Sequence, residues 1–294
     1  MYQKLEECPV CKHTHFTNDI ICEDYSQSNE SFVIVKCEHC ELRFTNPRPD
    51  ENNIAQYYQH DDYISHTNKA NNLVNLVYKL ARYYTLRQKA KLIKGHVQGK
   101  QLLDFGCGTG VFLNHMHALN YQIQGYEPSE QAREIALKSG NFPVHQNLTQ
   151  IQKEQYDVIT AWHVFEHVHE LKATLRALRK TLKPDGIILA AVPNISSYDA
   201  HHYKEHWAAY DVPRHLYHFN QNAFQSLATS CKLKIKEVYP MKLDSYYVSL
   251  LSEQHKGTTA SLKKLINGYL KGRKSNLKAS QTGEYSSLIY VLTK

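Results

Sequence analysis

The sequence predicts an α/β protein, a mostly parallel sheet flanked by helices, preceded by a small cysteine-held module. Three observations carry this. From Gln101 onward, short apolar runs of strand length alternate with segments of helical period. The first run, Gln101–Phe105, enters a turn with glycine at 106, 108 and 110 and then a helical pattern, Val111, Phe112, Leu113, Met116, Leu119. Near the start, Cys8-Pro-Val-Cys11 is matched by Cys37-Glu-His-Cys40.

The chain has 294 residues, 42% of them hydrophobic, enough for one large domain with a smaller attachment. It carries a net charge of +7, unevenly placed. No apolar run is long enough to span a bilayer. The N-terminus, Met1-Tyr-Gln-Lys-Leu-Glu-Glu-Cys8, has no apolar signal core, so a cytoplasmic location is expected. In that compartment seven cysteines point to metal or free thiols before disulfides.

In chain order, the cysteine pairs come first. Each C-x-x-C can form a tight knuckle that presents two thiolates to one tetrahedral ion. Between the pairs, Phe16, Ile20, Ile21 and Ser31–Val35 read as short strands, which makes a zinc ribbon over residues 1–46 with Cys8, Cys11, Cys37 and Cys40 as ligands. Four thiolates leave no open position, so the zinc is structural. His39 and Cys22 are expected to stay outside the ligand set. Pro47 and Pro49 read as a linker, Ile54–Tyr58 as a short helix, and Leu73, Leu76, Val77, Leu80, Ala81 and Tyr84 as one helical face. Residues 47–97 are thus a linker and a helical cap, and residues 98–294 the main domain.

The glycine turn selects its ligand. Positive φ and the lack of a Cβ let backbone N–H groups approach a bound group. A dinucleotide fingerprint needs its third glycine at 111, which is Val111. The spacing found is Asp-x-Gly-x-Gly-x-Gly, Asp104 to Gly110. A carboxylate beside the turn suits a cation and repels a phosphate. The next strand, Tyr121–Tyr126, ends at Glu127, placed to accept from the two hydroxyls of a ribose. Ser129 can cap the helix that follows, which Gly140 closes.

Asp104 to Gly110 resembles the cofactor loop of the class I, Rossmann-like S-adenosylmethionine (SAM) methyltransferases. So does Trp162-His-Val-Phe-Glu-His-Val168, at the carboxyl end of the strand Tyr156–Ala161. The resemblance implies a seven-stranded, mostly parallel sheet with a reversed last strand. It implies SAM as cofactor, held by Asp104, Gly106, Gly108, Gly110 and Glu127, with Leu148 near the adenine and Trp162 and His163 facing the sulfonium. It also makes Tyr63 and His66 candidate lid residues.

Further on, Leu171, Leu175, Leu178 and Leu182 mark an amphipathic helix, Lys183-Pro-Asp-Gly186 a turn, and Ile187–Val192 a strand. Residues 198–219 are dense in His, Tyr and Trp and read as an irregular loop over the strand ends. Similar Asp-x-Pro-Arg-His segments occur in a subgroup of the resembled family, which implies that Arg214, His215, Tyr217 and His218 shape the acceptor site. The alternative is an Asp211–Arg214 ion pair that pins the loop. Asn220 can cap a helix through Cys231, Leu233–Tyr239 is a strand, and Ser286–Leu292 the last one. Between those strands, residues 244–283 form an insert whose stretch from His255 to Gly283 has seven Lys or Arg and no acid.

Together these readings predict methyl transfer from SAM to a small-molecule or glycan-type acceptor, with His163 or His215 as base if the acceptor carries a proton. An RNA methyltransferase using the ribbon and the basic insert is a second reading. A non-catalytic zinc-ribbon adaptor with a SAM-binding domain is a third.

Overall fold

The computed structural model describes residues 1–58 and 73–294, with side chains from residue 80 onward in the second stretch. Tyr63 and His66 lie outside the described residues. The N-terminal strands are β1 (Tyr2–Gln3), β2 (Phe16–Glu23), β3 (Ser31–Cys37), β4 (Arg43–Thr45) and β5 (Arg48–Pro49). After a short 3-10 turn, Ile54–Tyr58, come helix α1 (Leu73–His96), β6 (Gln101–Phe105), α2 (Val111–His117), β7 (Gln122–Tyr126), α3 (Glu130–Ser139), β8 (Val144–His145) and β9 (Tyr156–Trp162). The chain continues through α4 (Leu171–Thr181), β10 (Leu182–Pro193), α5 (Tyr198–Tyr203), β11 (Tyr217–His218), α6 (Gln221–Ser230) and β12 (Lys234–Pro240). It closes with α7 (Asp244–His255), α8 (Ser261–Thr282) and β13 (Ser287–Thr293).

The large sheet has seven strands in the order β12-β13-β10-β9-β6-β7-β8. It is mixed but mostly parallel, with β6 parallel to both β7 and β9. The last strand lies between β10 and β12. Two caps read from sequence form: Ser129 Oγ accepts from Ala132 N, and Asn220 Oδ1 accepts from Ala223 N at 2.8 Å.

The chain divides into two compact units. One comprises Met1–His60, Phe165–Thr174 and Ala191–Tyr290, the other Asp61–Val164, Leu175–Ala190 and Val291–Lys294. The second unit holds the glycine turn. Its strand residues Leu102, Leu103, Val158, Ile159 and Ala161 are fully buried, as expected for parallel strands covered on both faces. The first unit is centred on Phe32, Ile34, Tyr57, Tyr203, Trp207, Tyr210 and Val212.

Three local expectations need correction. The prolines at 47 and 49 do not make a free linker: Arg48–Pro49 pairs antiparallel with Tyr2–Gln3, and Arg48 is buried. Proline is tolerated because the sheet of β1 and β5 has only two strands, and one side of each needs no donor. Lys183–Gly186 is not a separate turn but part of β10. Lys183 pairs with Asp157 at 2.9 Å, and a Cβ at Gly186 would lie 2.9 Å from the Tyr156 carbonyl oxygen, so the segment runs against the start of β9. Residues 198–219 are ordered. Ser197 caps α5, accepting from Ala200 N at 3.3 Å, and two 3-10 turns follow. Strand β11 then pairs with β4, Tyr217 opposite Phe44 and His218 opposite Arg43, in a four-stranded sheet of order β11-β4-β3-β2. The aromatics that looked loop-like from sequence are core residues.

Candidate active site

The glycine turn is built by competing demands on three positions. Gly106, Gly108 and Gly110 all have positive φ, at 76°, 53° and 79°. A Cβ at Gly106 would sit 2.6 Å from Val164, so packing alone excludes a side chain there. At Gly108 an added Cβ would meet nothing within 4 Å. That is the position where the backbone borders open space and a ligand can lie against it. The turn is fastened below: Gly106 N and Cys107 N both donate to the Tyr126 carbonyl, at 2.8 and 3.0 Å.

Glu127 braces the same turn. Its carboxylate accepts from Gly108 N at 2.9 Å and from Ser129 N at 3.0 Å, one bond to each oxygen. Each oxygen keeps a second acceptor site for a ligand hydroxyl. Glu127 is buried, and burial raises its pKa against the pull of those two N–H bonds. Asp104 lies deeper, 2% exposed, and accepts from Thr160 Oγ1 at 2.6 Å. Burial pushes its pKa up to about 7; the Thr160 bond and the Lys89 charge oppose the shift, and Glu127 adds to it. Two buried carboxylates beside an open turn are costly unless protonated or met by a cation.

The strand end supplies the aromatic side. Trp162 packs edge-on to Phe112 at 5.5 Å, and Lys89 Nζ lies 4.0 Å from its ring centroid. Trp162 Nε1 is buried with no partner among the described residues, a donor that a bound molecule could satisfy. His163 follows with φ 57°, in the left-handed region. Leu148 is half-buried on a 3-10 turn, Leu148–Gln150. The two buried carboxylates and the open backbone at Gly108 are chemically suited to a cationic, hydroxyl-bearing group. Lys89 and Thr160 were not singled out from sequence. Lys89 is one of several basic residues near the end of α1, and no local signal separates it from its neighbours.

In the first unit, Arg214 is consumed by its own fold. Its Nη2 donates to Asp24 Oδ1 and to Asp211 Oδ1, each at 2.7 Å, its Nε to Asp211 Oδ1 at 3.0 Å, and its Nη1 to the Tyr57 carbonyl at 3.1 Å. Asp24 is fully buried and also accepts from the backbone N–H groups of Ser26, Gln27 and Ser28. Burial would raise its pKa, but the Arg214 and Ser28 bonds hold it below the ordinary carboxylate value. Tyr217 is equally occupied. It donates to the His169 carbonyl at 2.7 Å and accepts from Arg48 Nη1 at 2.9 Å.

His215 is held differently. Its Nδ1 is 2.8 Å from the Ala209 carbonyl, to which it donates, and Nε2 is 3.9 Å from Asp211 Oδ2. The His167 ring lies edge-on at 4.5 Å. Burial pushes the His167 pKa down to about 4, so it is neutral at physiological pH. His218 is buried against Thr45, Nε2 to Oγ1 at 3.2 Å, and Thr45 in turn donates to the His215 carbonyl. Glu166, His167 and His215 each offer one ligating atom, all within 4.8 Å of one another.

Cys8, Cys11, Cys37 and Cys40 form no disulfide, and their sulfurs all lie within 4.8 Å of one another. Cys8 to Cys40 and Cys11 to Cys37 are both 3.5 Å. The edge of a tetrahedral zinc–thiolate site is about 3.8 Å for a bond of about 2.3 Å. The knuckles are alike: Lys12 and Glu41, each just after the second cysteine of its pair, have φ 66° and 62°. Cys22 is outside this group, buried in the unit's core, with its thiol pushed up to about 12 by burial.

A family model described as a methyltransferase domain matches residues 78–237, more than half of the chain, and the chain belongs to that family. Over 110 residues it is 33% identical to the ubiquinone biosynthesis O-methyltransferase of Bordetella bronchiseptica, covering 34% of this chain and 45% of that protein. Over 105 residues it is 34% identical to the enzyme of the same name from Idiomarina loihiensis, covering 33% and 43%. The chain thus spans less than half the length of these curated relatives. Among solved structures it is similar to coclaurine N-methyltransferase bound to N-methylheliamine and SAH. The TM-score is 0.55 at 16% identity, over 82% of this chain and 81% of that one. A mycolic acid cyclopropane synthase complexed with SAH gives 0.54 at 16% identity, over 84% and 99%. At these identities the likeness shows the fold, which is Rossmann-like. Among the described residues no helix is long and apolar enough to cross a membrane.

Proposed function

We propose that this chain transfers a methyl group from SAM to a small-molecule or glycan-type acceptor. The observation that carries the reading is the turn at Gly108: open above, with its N–H bound to Glu127, and with a buried carboxylate, Asp104, behind it. When bound, SAM supplies a methyl group already activated by a sulfonium, so the protein's work is positioning and exclusion of water. Glu127 accepts from the ribose hydroxyls through the acceptor sites that Gly108 and Ser129 leave open. Asp104 answers the cationic amino-acid end. Gly106 and Gly110 hold the turn in shape, Leu148 lies at the adenine side, and Trp162 faces the sulfonium.

His163 and His215 are the bases on offer for a protic acceptor. His215 is the better built of the two. With Nδ1–H donated to a carbonyl, its Nε2 is the acceptor, and the Asp211 carboxylate would stabilise the imidazolium formed when a proton arrives. Arg214 and Tyr217 act in this reading as positioning residues, since their polar groups are already bound within the fold. The ribbon cysteines hold one structural zinc. The division into a ribbon at 1–46, a cap at 47–97 that begins with the paired strand Arg48–Pro49, and a catalytic domain from 98, carrying the insert at 244–283, belongs to the same proposal.

The direct test is calorimetric titration with SAH followed by methyl transfer from labelled SAM to a panel of phenolic, amine and sugar-nucleotide acceptors. Micromolar binding of SAH and label transfer to one acceptor class are expected. Binding of NAD in place of SAH would overturn the reading, and SAH binding with no transfer to any class would favour the adaptor alternative.

A further inference from the structure

The packed side of helix α8 is its small side. Gly268, Gly272, Ser275 and Ala279, spaced four, three and four, are buried. A Cβ at Gly268 would lie 2.8 Å from Leu250 Cα, and one at Gly272 would lie 2.7 Å from Tyr246 Cα, so α8 meets α7 nearly backbone to backbone. The large apolar residues face elsewhere, although the Tyr269 ring also stacks on Tyr246 of α7 at 5.5 Å. Leu262, Leu265, Ile266, Tyr269, Leu270 and Leu277 are 47–70% exposed. At 3.6 residues per turn they occupy one stripe about 140° wide, which also holds the exposed Arg273, whose stem can lie along the apolar side chains while its guanidinium reaches outward. Lys263, Lys264, Lys271, Lys274 and Lys278 fill the adjoining arc of about 100°. No acid occurs from His255 to Gly283.

An apolar stripe of this extent in water opposes the hydrophobic effect, and a monomer rarely keeps one without a use. We infer that α8 is a membrane-surface helix, lying in the plane of an anionic bilayer. The stripe enters the boundary between headgroups and acyl chains, and the flanking lysines meet lipid phosphates. The charge decides the occupant. Stacking a second copy on the stripe would press the two Arg273 side chains into the seam with no acid on either helix to pair them, which is costly. A nucleic acid would engage the lysines but leave the leucines and Ile266 in water, and the stripe offers one aromatic ring, Tyr269, for base stacking.

The test is flotation of the full-length chain with phosphatidylcholine vesicles, with and without phosphatidylglycerol. Binding is expected only with the anionic lipid, weakening as salt rises. Ile266→Glu with Leu270→Glu should lower the bound fraction by about tenfold or more, and Lys263→Glu with Lys278→Glu should do the same. All four positions are exposed, so circular dichroism and SAH affinity should not change. Tyr269→Trp adds a reporter whose emission should shift to the blue on anionic vesicles. No binding at low salt, or binding indifferent to Ile266→Glu with Leu270→Glu, overturns the inference. So does lipid-free self-association that the same pair abolishes, which would assign the stripe to a second copy, or tighter binding to an RNA homopolymer than to vesicles.

Discussion

SAM binding should tighten as pH rises through neutrality, and Asp104 is the reason. Its carboxyl is 2% exposed and burial pushes its pKa up to about 7, from an ordinary value of about 3.9. In the ligand-free chain it is therefore mostly protonated at pH 6 and mostly ionised at pH 8. A cationic ligand selects the ionised form. With that pKa the ionised fraction rises from about 0.1 to about 0.9 across those two pH units, so affinity should improve about tenfold, about 1.4 kcal/mol. Below neutrality, binding should release a proton. Isothermal titration in two buffers of different ionisation enthalpy reads both quantities. The ligand's own amino group also titrates near neutrality, so Asp104→Asn is the control: it should bind more weakly at pH 8 and lose the Asp104 share of the slope. If the variant and the natural chain show the same pH dependence, Asp104 does not face the cation. The sign for folding is the opposite one. A carboxyl with a raised folded pKa holds more protons folded than unfolded between about pH 4 and pH 7, so ligand-free stability should fall as pH rises across that window.

Glu127→Ala should weaken SAM or SAH by about 1–3 kcal/mol, the cost of buried hydroxyls without a partner, and unchanged affinity by titration would remove Glu127 from the site. Arg214→Ala leaves Asp24, fully buried, without its cation; the loss should be about 3–5 kcal/mol, read as a fall in Tm, and a variant of normal Tm that has lost only turnover would return Arg214 to direct acceptor binding. Protein purified without chelator should hold one zinc per chain by elemental analysis, and a fully folded metal-free ribbon would count against the site. Chelation should raise amide exchange in β2 to β4 and also in β11, because Tyr217 and His218 pair with Phe44 and Arg43; exchange confined to residues 1–46 would contradict that coupling.

What the sequence determined by itself was local. The strand–turn–helix around Gly106 to Gly110, the acid at the end of the next strand, the paired knuckles of Cys8, Cys11, Cys37 and Cys40, and the caps at Ser129 and Asn220 all follow from spacings of a few residues. Backbone geometry fixes what such spacings can do, so no distant partner is needed to read them. The tertiary structure decided the rest. Arg214 finds Asp24 across a separation of 190 residues, and Tyr217 finds Arg48 across 169. Those bonds turn a polar, aromatic stretch from a supposed loop into the core of the first unit. Lys89 became part of the site only by standing over Trp162. The basic insert had a charge pattern legible in the chain. Its exposed apolar stripe became visible only once Gly268 and Gly272 were seen to take the packed face. Helical period marks which residues share a face, but which face is covered depends on how closely the neighbouring backbone approaches.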